Sequence, residues 1–233
     1  MIKIISKVHC SFAAQVMAED LTAIGYPAQI VPQWDLSDES LHILYQAAGA
    51  MYLPKNYILM QTEPWCSHWF NNNYKKIIAG ALSVWDYSPE NMRHYAGTRR
   101  NVFLATPGIK RMPRVKKDIP YLFYGWLEGS PRREAKIRAF EDKTGVDLRV
   151  VTNTVGQEMW DILARTQTVV NIRYYENEDA PIEWYRICEA ASFGCVVLSE
   201  IGNGYKAILP GELKDQKPHL KEIMSLLEDY LPL

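Results

Sequence analysis

Two glutamates and one arginine recur at every third residue, as Glu183, Arg186 and Glu189. On a helix, at about 100° per residue, this spacing puts the three side chains on one polar arc. Apolar runs at residues 168–172 and 195–198 flank the segment and predict two buried strands. Because carboxylates bind ribose hydroxyls and a guanidinium binds phosphate, the arc predicts a nucleotide contact. The alternative is a solvated helix face with Glu–Arg pairing.

Helix signals bound this segment on both sides. Pro181 suits the first turn of a helix, and Gly194 suits the residue just beyond its end. Ser199 and Glu200 stand at the carboxyl end of the second predicted strand. Open α/β sheets bind ligands outside the carboxyl ends of their strands, so these two polar residues are predicted to contact the ligand.

A glycine-containing loop with two arginines follows another predicted strand, at residues 121–124. Gly125 ends that strand, and Arg132 and Arg133 fall in the first turn of a helix predicted at 131–143. Cations are unfavourable at this end of a helix, so they indicate an anionic ligand such as a diphosphate, which free N–H groups also bind. Two solvated surface arginines are the alternative. The loop lacks the GxGxxG pattern, which disfavours a nicotinamide cofactor.

The sequence RYYENED, at residues 173–179, follows the strand predicted at 168–172. Tyr174, with its amide and carboxyl neighbours, suits a hydroxyl-rich ligand and is predicted to bind it. Glu176, Glu178 and Asp179 are acidic, but they form no Asp-x-Asp doublet, and a solvent-facing loop is the simpler interpretation. Histidines and cysteines lack ligand spacing, so no metal site is predicted.

Three further polar residues of the amino-terminal half each follow a predicted strand. They are His9, Glu63 and Asp86. A side chain at such an edge is placed to take a proton from the hydroxyl group of a bound substrate, and these three are the candidate catalytic residues. For His9, a hydrogen-bonded loop histidine is the alternative.

Hydrophobic periodicity predicts alternating strands and helices, and therefore an α/β fold with parallel sheets. In the first half, strands are predicted at 2–5, 28–31, 57–60 and 102–105, helices at 12–24 and 89–95, a polar loop leading into a helix at 35–46, and a strand or helix at 77–84. In the second half, a strand at 148–151 and helices at 157–166 and 217–231 join those already given. The predicted domains are 1–108, 109–216 and a terminal helix in 217–233 that packs back on the first.

The segment EAASFGCVVLSE, residues 189–200, resembles the nucleotide-sugar signature of GT-B glycosyltransferases. The longer pattern NIRYY…IEWYRICEAASFGCVVLSE is similar to small bacterial and phage members of the retaining group. This resemblance implies two Rossmann-like domains that face across a cleft, the N-terminal one reduced. It also implies that Glu189 binds the donor ribose. The partner glutamate of that family falls on Pro181, so the resemblance leaves its role to Glu176, Glu178 or Glu183.

The activity that the resemblance implies is transfer of a sugar, with retention, from a UDP- or GDP-linked donor to a hydroxyl acceptor. The acceptor is a glycan or a phage-type modified DNA base. No permanently bound cofactor and no metal is expected, because side chains and a helix end neutralise the departing diphosphate. Two alternatives remain: a nucleotide-sugar-binding protein without transferase activity, and a phosphosugar phosphorylase or epimerase on the same fold.

Composition favours an ordinary globular protein that is expected to be cytoplasmic. The 233 residues are 48 % hydrophobic and 23 % charged, and the net charge is −1. No apolar run is long enough to span a bilayer, and four cysteines without CxxC spacing predict free thiols. The net charge attracts neither nucleic acid nor membrane. A local basic stretch is a solvated linker or a DNA contact, and comprises Arg99, Arg100, Lys110, Arg111, Arg114, Lys116 and Lys117.

Overall fold

The structure is a computed structural model that describes residues 1–33, 35–45, 47–95, 101–177, 180–202 and 204–228. Of the residues singled out from the sequence, Arg99, Arg100, Glu178 and Asp179 lie outside this described set. The chain divides into two compact units. The first consists of residues 1–108 and the C-terminal segment from Asp215 onward, and the second runs from Ile109 to Lys214 except for a short stretch at Pro181.

Eleven β-strands and seven α-helices are present in the described residues. The strands are β1 (Ile2–Ile5), β2 (Ala28–Ile30), β3 (His42–Tyr45), β4 (Tyr57–Gln61), β5 (Ser83–Asp86), β6 (Val102–Leu104), β7 (Ile119–Tyr124), β8 (Arg149–Val151), β9 (Thr166–Asn171), β10 (Val196–Ile201) and β11 (Gly204–Ile208). The helices are α1 (Ser11–Ala23), α2 (Asn72–Gly80), α3 (Pro89–Met92), α4 (Pro131–Thr144), α5 (Gln157–Arg165), α6 (Trp184–Ser192) and α7 (Lys217–Leu227).

The first unit is built on a parallel sheet with the strand order β2-β1-β3-β4-β5-β6. Every residue of β3, β4 and β5 is buried, as expected for central strands that are covered on both faces. On one face, Ile77 and Ile78 of α2 pack with Leu44, Leu59 and Val84 of the sheet. Burial of each such side chain stabilises the unit by roughly 1.5–3 kcal/mol.

The second unit is built on a mostly parallel sheet with the strand order β11-β10-β9-β7-β8, in which only β11 is antiparallel to its neighbour. Ile137 and Phe140 of α4 pack against Phe123, Val170 and Ile172. This helix begins at Pro131, where a missing N–H is harmless, and ends at Gly145 in the left-handed region. Both units are α/β, and their sheets are compatible with two Rossmann-like domains.

Two predicted helix positions are wrong. Residues 35–46, predicted to lead into a helix, instead contain the strand β3 (His42–Tyr45), whose four residues are all buried and show no alternation. The helix predicted to begin at Pro181 begins at Trp184, because Glu183 at its N-cap has a ψ of 67°, outside the helical range.

Other differences concern strands. The segment 77–84 divides into the end of α2 and the start of β5, and the antiparallel strand β11 has no counterpart among the predicted elements. The first unit has a six-stranded sheet and the second a five-stranded one. Helix α7 packs on α1 within the first unit.

Candidate functional site

The sheet of the second unit reverses its winding direction between β7 and β9. The chain leaves β7 through α4 towards the edge strand β8, and it leaves β9 through α6 towards β10 on the opposite side. The loops after β7 and β9 therefore diverge. The crevice outside the carboxyl ends of two such strands is where open α/β sheets bind ligands.

Arg132, in the first turn of α4, joins two of these strand ends. Its guanidinium donates to the carbonyl oxygen of Arg173 at 2.7 Å and to the carboxylate of Glu200. Lys136 Nζ lies 3.3 Å from the same oxygen of Glu200, and the N–H of Arg173 donates to the other oxygen at 3.1 Å. Glu200 is only 1 % exposed, so its buried charge is fully surrounded by donors.

Glu183 forms the second centre of this network. Arg133 donates to one carboxylate oxygen at 2.6 Å, and Arg186 donates to the other. The N–H of Tyr174 is a third donor, at 3.3 Å. Burial opposes the ionisation of Glu183, but the two guanidiniums hold the pKa of this carboxyl below its ordinary value. The carboxylate is therefore charged and acts as the counter-ion of two arginines.

Arg133 is an internal residue of the site. It is 1 % exposed, donates to the carbonyl oxygen of Trp126 at 2.8 Å, and lies 5.1 Å from the ring centroid of Tyr174. Burial lowers its pKa to about 10. In the part of the chain that the structure describes, its Nε has no hydrogen-bond partner. Arg133 thus holds the loop after β7 in place, and its buried positive charge adds to the electrostatic potential at these strand ends.

Asn171, the last residue of β9, links the arginines to Ser199. Its Oδ1 accepts from Arg186 at 2.8 Å, and its Nδ2 donates to Ser199 Oγ at 3.1 Å. Both Asn171 and Ser199 are completely buried, so the serine orients the asparagine, and in this conformation it offers no surface to a ligand. Sequence reasoning did not select Asn171, although a polar residue at the end of the apolar run TVVN was a usable signal.

Gly125 makes room for this cluster. Its φ of +144° is a conformation that other residues rarely adopt. A Cβ atom at this position would lie 2.8 Å from Arg186 Nη2 and 3.3 Å from Arg133 Nη1. The missing side chain therefore lets both guanidiniums approach the end of β7.

Glu189 lies further along α6 and belongs to the same unit. Tyr124 O–H donates to one of its oxygens at 3.0 Å, and Trp160 Nε1 donates to the other at 2.9 Å. Burial raises its pKa, although these two bonds act in the opposite direction. Each oxygen retains capacity for another hydrogen bond, and the residue is partly exposed. Nothing in the sequence predicted that Trp160 would bind Glu189.

Among the described residues, the charges that pair at these strand ends are mostly positive. Four cations, Arg132, Arg133, Lys136 and Arg186, share two carboxylates, those of Glu183 and Glu200. Of the predicted ligand contacts, Arg132 and Arg186 keep some exposed surface, whereas Arg133, Ser199 and Glu200 are buried beneath them. The exposed Glu176 does not join the network in the described residues. The arrangement is suited to an anion that contacts the outer cations.

In the first unit, Asn91 connects two of the predicted catalytic residues. Its Nδ2 donates to the backbone carbonyl of Glu63 at 3.2 Å and to Asp86 Oδ1 at 3.4 Å. Asp86 is completely buried and also accepts from Ser88 N–H at 2.8 Å and from Tyr95 O–H. Burial raises the pKa of Asp86 to about 7. An acceptor could reach this carboxyl only if the surrounding residues moved.

Glu63 and His9 differ in accessibility. Glu63 is 7 % exposed, and its carboxylate accepts from Ser67 Oγ at 2.9 Å. His9 is exposed in the short 3-10 helix Val8–Cys10, which follows β1. Since β3 separates β1 from β4, the structure brings Glu63 and Asp86 together through Asn91 and leaves His9 at another strand end. The catalytic roles of all three residues stay predictions.

One residue of the basic stretch, Lys117, directs its ammonium group into the second unit. Lys117 Nζ donates to the carbonyl oxygens of Thr166 at 2.6 Å and Phe193 at 2.7 Å, the residues that cap the ends of α5 and α6. Cations at helix C-termini are stabilising because they face the negative end of the dipole. Arg111, Arg114 and Lys116 remain exposed.

The described residues also bear on membrane insertion and on metal binding. None of their helices is both long enough and apolar enough to cross a bilayer. Within these same ranges, no three His, Cys, Asp or Glu side chains come together as a metal site requires. Comparison with protein-family models and with curated proteins finds no match to the chain.

Proposed function

We propose that the protein is a glycosyltransferase that uses a nucleoside-diphosphate sugar as donor and a hydroxyl group as acceptor. The observation that carries the proposal is the excess of cationic side chains at the divergence of β7 and β9. A crevice of this kind in an α/β sheet is the usual position for a nucleotide. The resemblance of residues 189–200 to a nucleotide-sugar signature agrees with this assignment.

The diphosphate is bound by the outer cations. Arg132 stands in the first turn of α4, where the helix dipole also favours an anion, and Lys136 lies one turn further along. Arg186 approaches from α6. Glu183 and Glu200 keep the guanidiniums in fixed positions without neutralising all of them. When the bond to the sugar breaks, negative charge develops on the diphosphate, and pre-positioned cations stabilise that charge most effectively.

Glu189 binds the ribose. Its two oxygens are held in place by Tyr124 and Trp160, and each can accept one more hydrogen bond from a hydroxyl group. Burial raises the pKa of Glu189 and so opposes its ionisation. A ribose diol that donates hydrogen bonds to the carboxylate acts in the opposite direction, because such bonds favour the charged form. Binding of the nucleotide and ionisation of Glu189 therefore assist each other.

The first test measures nucleotide binding through thermal stabilisation by UDP, GDP and their sugar conjugates. We expect one nucleoside diphosphate to raise the melting temperature. Glu189→Gln should weaken that ligand about tenfold or more, since a hydrogen bond to a charged acceptor is worth roughly 1.5–3 kcal/mol. Glu158→Gln, on the exposed face of α5, is the matched control and should bind as the wild type does. Equal binding by both variants would refute the role of Glu189.

A nucleotide-sugar-binding protein without transferase activity is the second candidate. It is favoured by Asp86, which is completely buried and saturated with hydrogen bonds. Release of nucleoside diphosphate from the donor separates the two. A transferase releases it slowly by hydrolysis and faster with an acceptor, whereas a binding protein is stabilised by the ligand and releases none.

A further inference from the structure

The two sides of strand β7 differ in charge at the carboxyl edge of the second sheet. In the strand order β11-β10-β9-β7-β8, the paired charges of Glu183, Arg186 and Glu200 lie on the side of β9 and β10. On the side of β8, residues 150–157 comprise the end of that strand and the loop after it, and they contain no charged side chain. An anionic group is therefore favoured on the first side only, and the second side suits an uncharged group.

The position of Glu189 indicates how a nucleotide extends along this edge. Its hydrogen-bond donors are Tyr124 at the end of β7 and Trp160 on α5, the helix that follows β8. Arg186, one turn earlier on α6, binds instead to Asn171 at the end of β9. The ribose of a nucleotide joins the diphosphate to the base. A ribose at Glu189 with its diphosphate at Arg186 therefore leaves the base towards the loops after β7 and β8.

Trp126 lies on the first of these loops, two residues after Tyr124. It is 50 % exposed, the largest fraction for any large hydrophobic residue of the second unit within the described ranges. The next residue, Leu127, packs on the core around Phe123, and Trp126 does not belong to that core. A half-exposed indole beside a ligand crevice offers a planar apolar surface on which another flat ring can stack.

The backbone that carries Trp126 is held in place on both sides. The guanidinium of the buried Arg133 donates to the carbonyl oxygen of Trp126 at 2.8 Å, and the same guanidinium is bound to Glu183. Before Trp126, the N–H of Gly125 donates to the carbonyl oxygen of Val151 at 3.1 Å, which ties the loop to the end of β8. An aromatic side chain on a fixed backbone loses little conformational freedom when a ligand binds.

Polar groups accompany this apolar surface. The bond between Gly125 and Val151 brings the loops after β7 and β8 side by side, and Thr152 and Asn153 of the second loop are exposed. Glu128, on the same loop as Trp126, is exposed as well. An apolar surface with a few hydrogen-bonding groups at its edge is the usual composition of a small-molecule subsite. It matches a nucleobase, whose faces are apolar and whose edges are polar.

We propose that Trp126 binds the base of the donor nucleotide by stacking, and that the loops after β7 and β8 form the base subsite. This inference rests on the proposed function, because the ribose at Glu189 and the diphosphate at Arg186 fix the direction of the base. Stacking of one base on an aromatic side chain contributes enough binding energy to be measured by substitution. Trp126 therefore contributes to the affinity for the nucleoside part of the donor and not to the affinity for its diphosphate.

The experiment measures binding by titration calorimetry with UDP, GDP and inorganic pyrophosphate as the probes. Trp126→Ala should weaken the nucleoside diphosphate that binds about tenfold. Trp126→Phe, which keeps an aromatic ring, should retain most of the affinity. Pyrophosphate has no base, so wild type and Trp126→Ala should bind it equally, which also shows that the variant is folded. Trp69→Ala removes a similarly exposed tryptophan of the first unit, 45 % exposed, and is the matched control with unchanged binding.

The results separate this inference from the proposed function. If a nucleoside diphosphate binds equally to Trp126→Ala and Trp69→Ala, the stacking role is wrong and the donor site stands. The same conclusion follows if Trp126→Ala weakens pyrophosphate as much as the nucleotide, since the residue then supports the diphosphate. If nucleotide binding depends on Trp126 but no nucleotide sugar is turned over, the base subsite stands and the transferase proposal fails. If the wild type binds neither UDP nor GDP, both fail.

Discussion

At the scale of single residues, Asp86 shows how burial changes the meaning of a carboxyl group. Its position at the end of a strand made it a candidate base, but the structure surrounds it with Ser88, Asn91 and Tyr95. Burial raises its pKa from 3.8 to about 7. The folded protein therefore retains a proton on Asp86 at pH values where the unfolded chain has lost it.

This retention predicts a pH-dependent stability. Between pH 3.8 and about 7 folding takes up a proton, so the free energy of unfolding should fall as the pH rises through this window and level off above it. From about pH 5 to about pH 8 the loss due to Asp86 is about 3 kcal/mol. Asp86→Asn should remove this loss in urea unfolding curves, and Asp147→Asn, at an exposed aspartate, should keep it. Identical pH profiles for the two variants would contradict the prediction.

Ser199 and Glu189 mark what the sequence can predict about single residues. Strand ends and helix faces followed from local pattern, and the structure brings residues from three separate segments together at the ends of β7, β9 and β10. Pattern did not distinguish a side chain that reaches solvent from one that supports another, as Ser199 supports Asn171. The partners of Glu189 come from β7 and α5, far away in the chain, and only tertiary packing specifies them.

At the scale of elements, the loop between β7 and α4 depends on a glycine that can be tested. In Gly125→Ala the new Cβ would lie 2.8 Å from Arg186 Nη2, and Arg186 cannot move without losing its bonds to Glu183 and Asn171. We expect a loss of at least about 2 kcal/mol in unfolding free energy, together with weaker nucleotide binding.

Gly129 in the same loop is the matched control for Gly125. Its φ of +70° is also left-handed, but the nearest atom to an added Cβ is Tyr174 O–H at 3.8 Å. Gly129→Ala should therefore cost about 1 kcal/mol from backbone strain alone and leave nucleotide binding intact. If both variants lose stability and binding equally, the contact with Arg186 is not the reason.

Helix ends provide a second prediction at this scale. Lys117 binds the terminal carbonyl oxygens of α5 and α6, so Lys117→Met leaves two acceptors without their charged donor. We expect the free energy of unfolding to fall by about 2 kcal/mol. Lys116→Met, at the exposed neighbouring position, should change it by less than about 0.5 kcal/mol. Chemical denaturation of the two variants measures the difference, and equal stabilities would rule out the capping role.

At the scale of elements, too, the sequence predicted the helices whose hydrophobic residues recur with a clear period. It did not predict the strand whose residues are all buried. The helices α1, α4 and α5 were predicted close to their observed ends, because each has a polar and an apolar face. Strand β3 was not, since a central parallel strand is buried on both faces and its four residues therefore show no alternation. The start of α6 was misplaced because Glu183 binds arginines from both sides of the sheet, and this outweighs the preference of Pro181 for a first turn.

At the scale of the whole molecule, positive and negative side chains nearly cancel in number, but cations are concentrated in one region. The net charge is −1, although the strand ends of the second unit hold several cations. Such a distribution suits a small anion that enters a specific site, because long-range attraction is absent and short-range attraction is strong. For the phosphate backbone of a duplex, the described basic stretch offers three exposed cations, Arg111, Arg114 and Lys116. This is fewer than the roughly 6–10 phosphate contacts of a protein that binds DNA through its charge.

This distribution predicts that the acceptor is not DNA. In a gel-shift assay at about 150 mM salt, we expect no shift of a short duplex, because salt screens exposed charges beyond roughly 8 Å and Lys117 is engaged inside its unit. Nucleoside-diphosphate binding by the same sample shows that the protein is folded. A shift at this salt concentration that disappears when Arg111, Arg114 and Lys116 are all replaced by Gln would contradict this expectation and favour a DNA acceptor. The triple variant must lose the gel shift and still bind nucleoside diphosphate, because only then is the exposed basic stretch itself responsible for the contact with DNA.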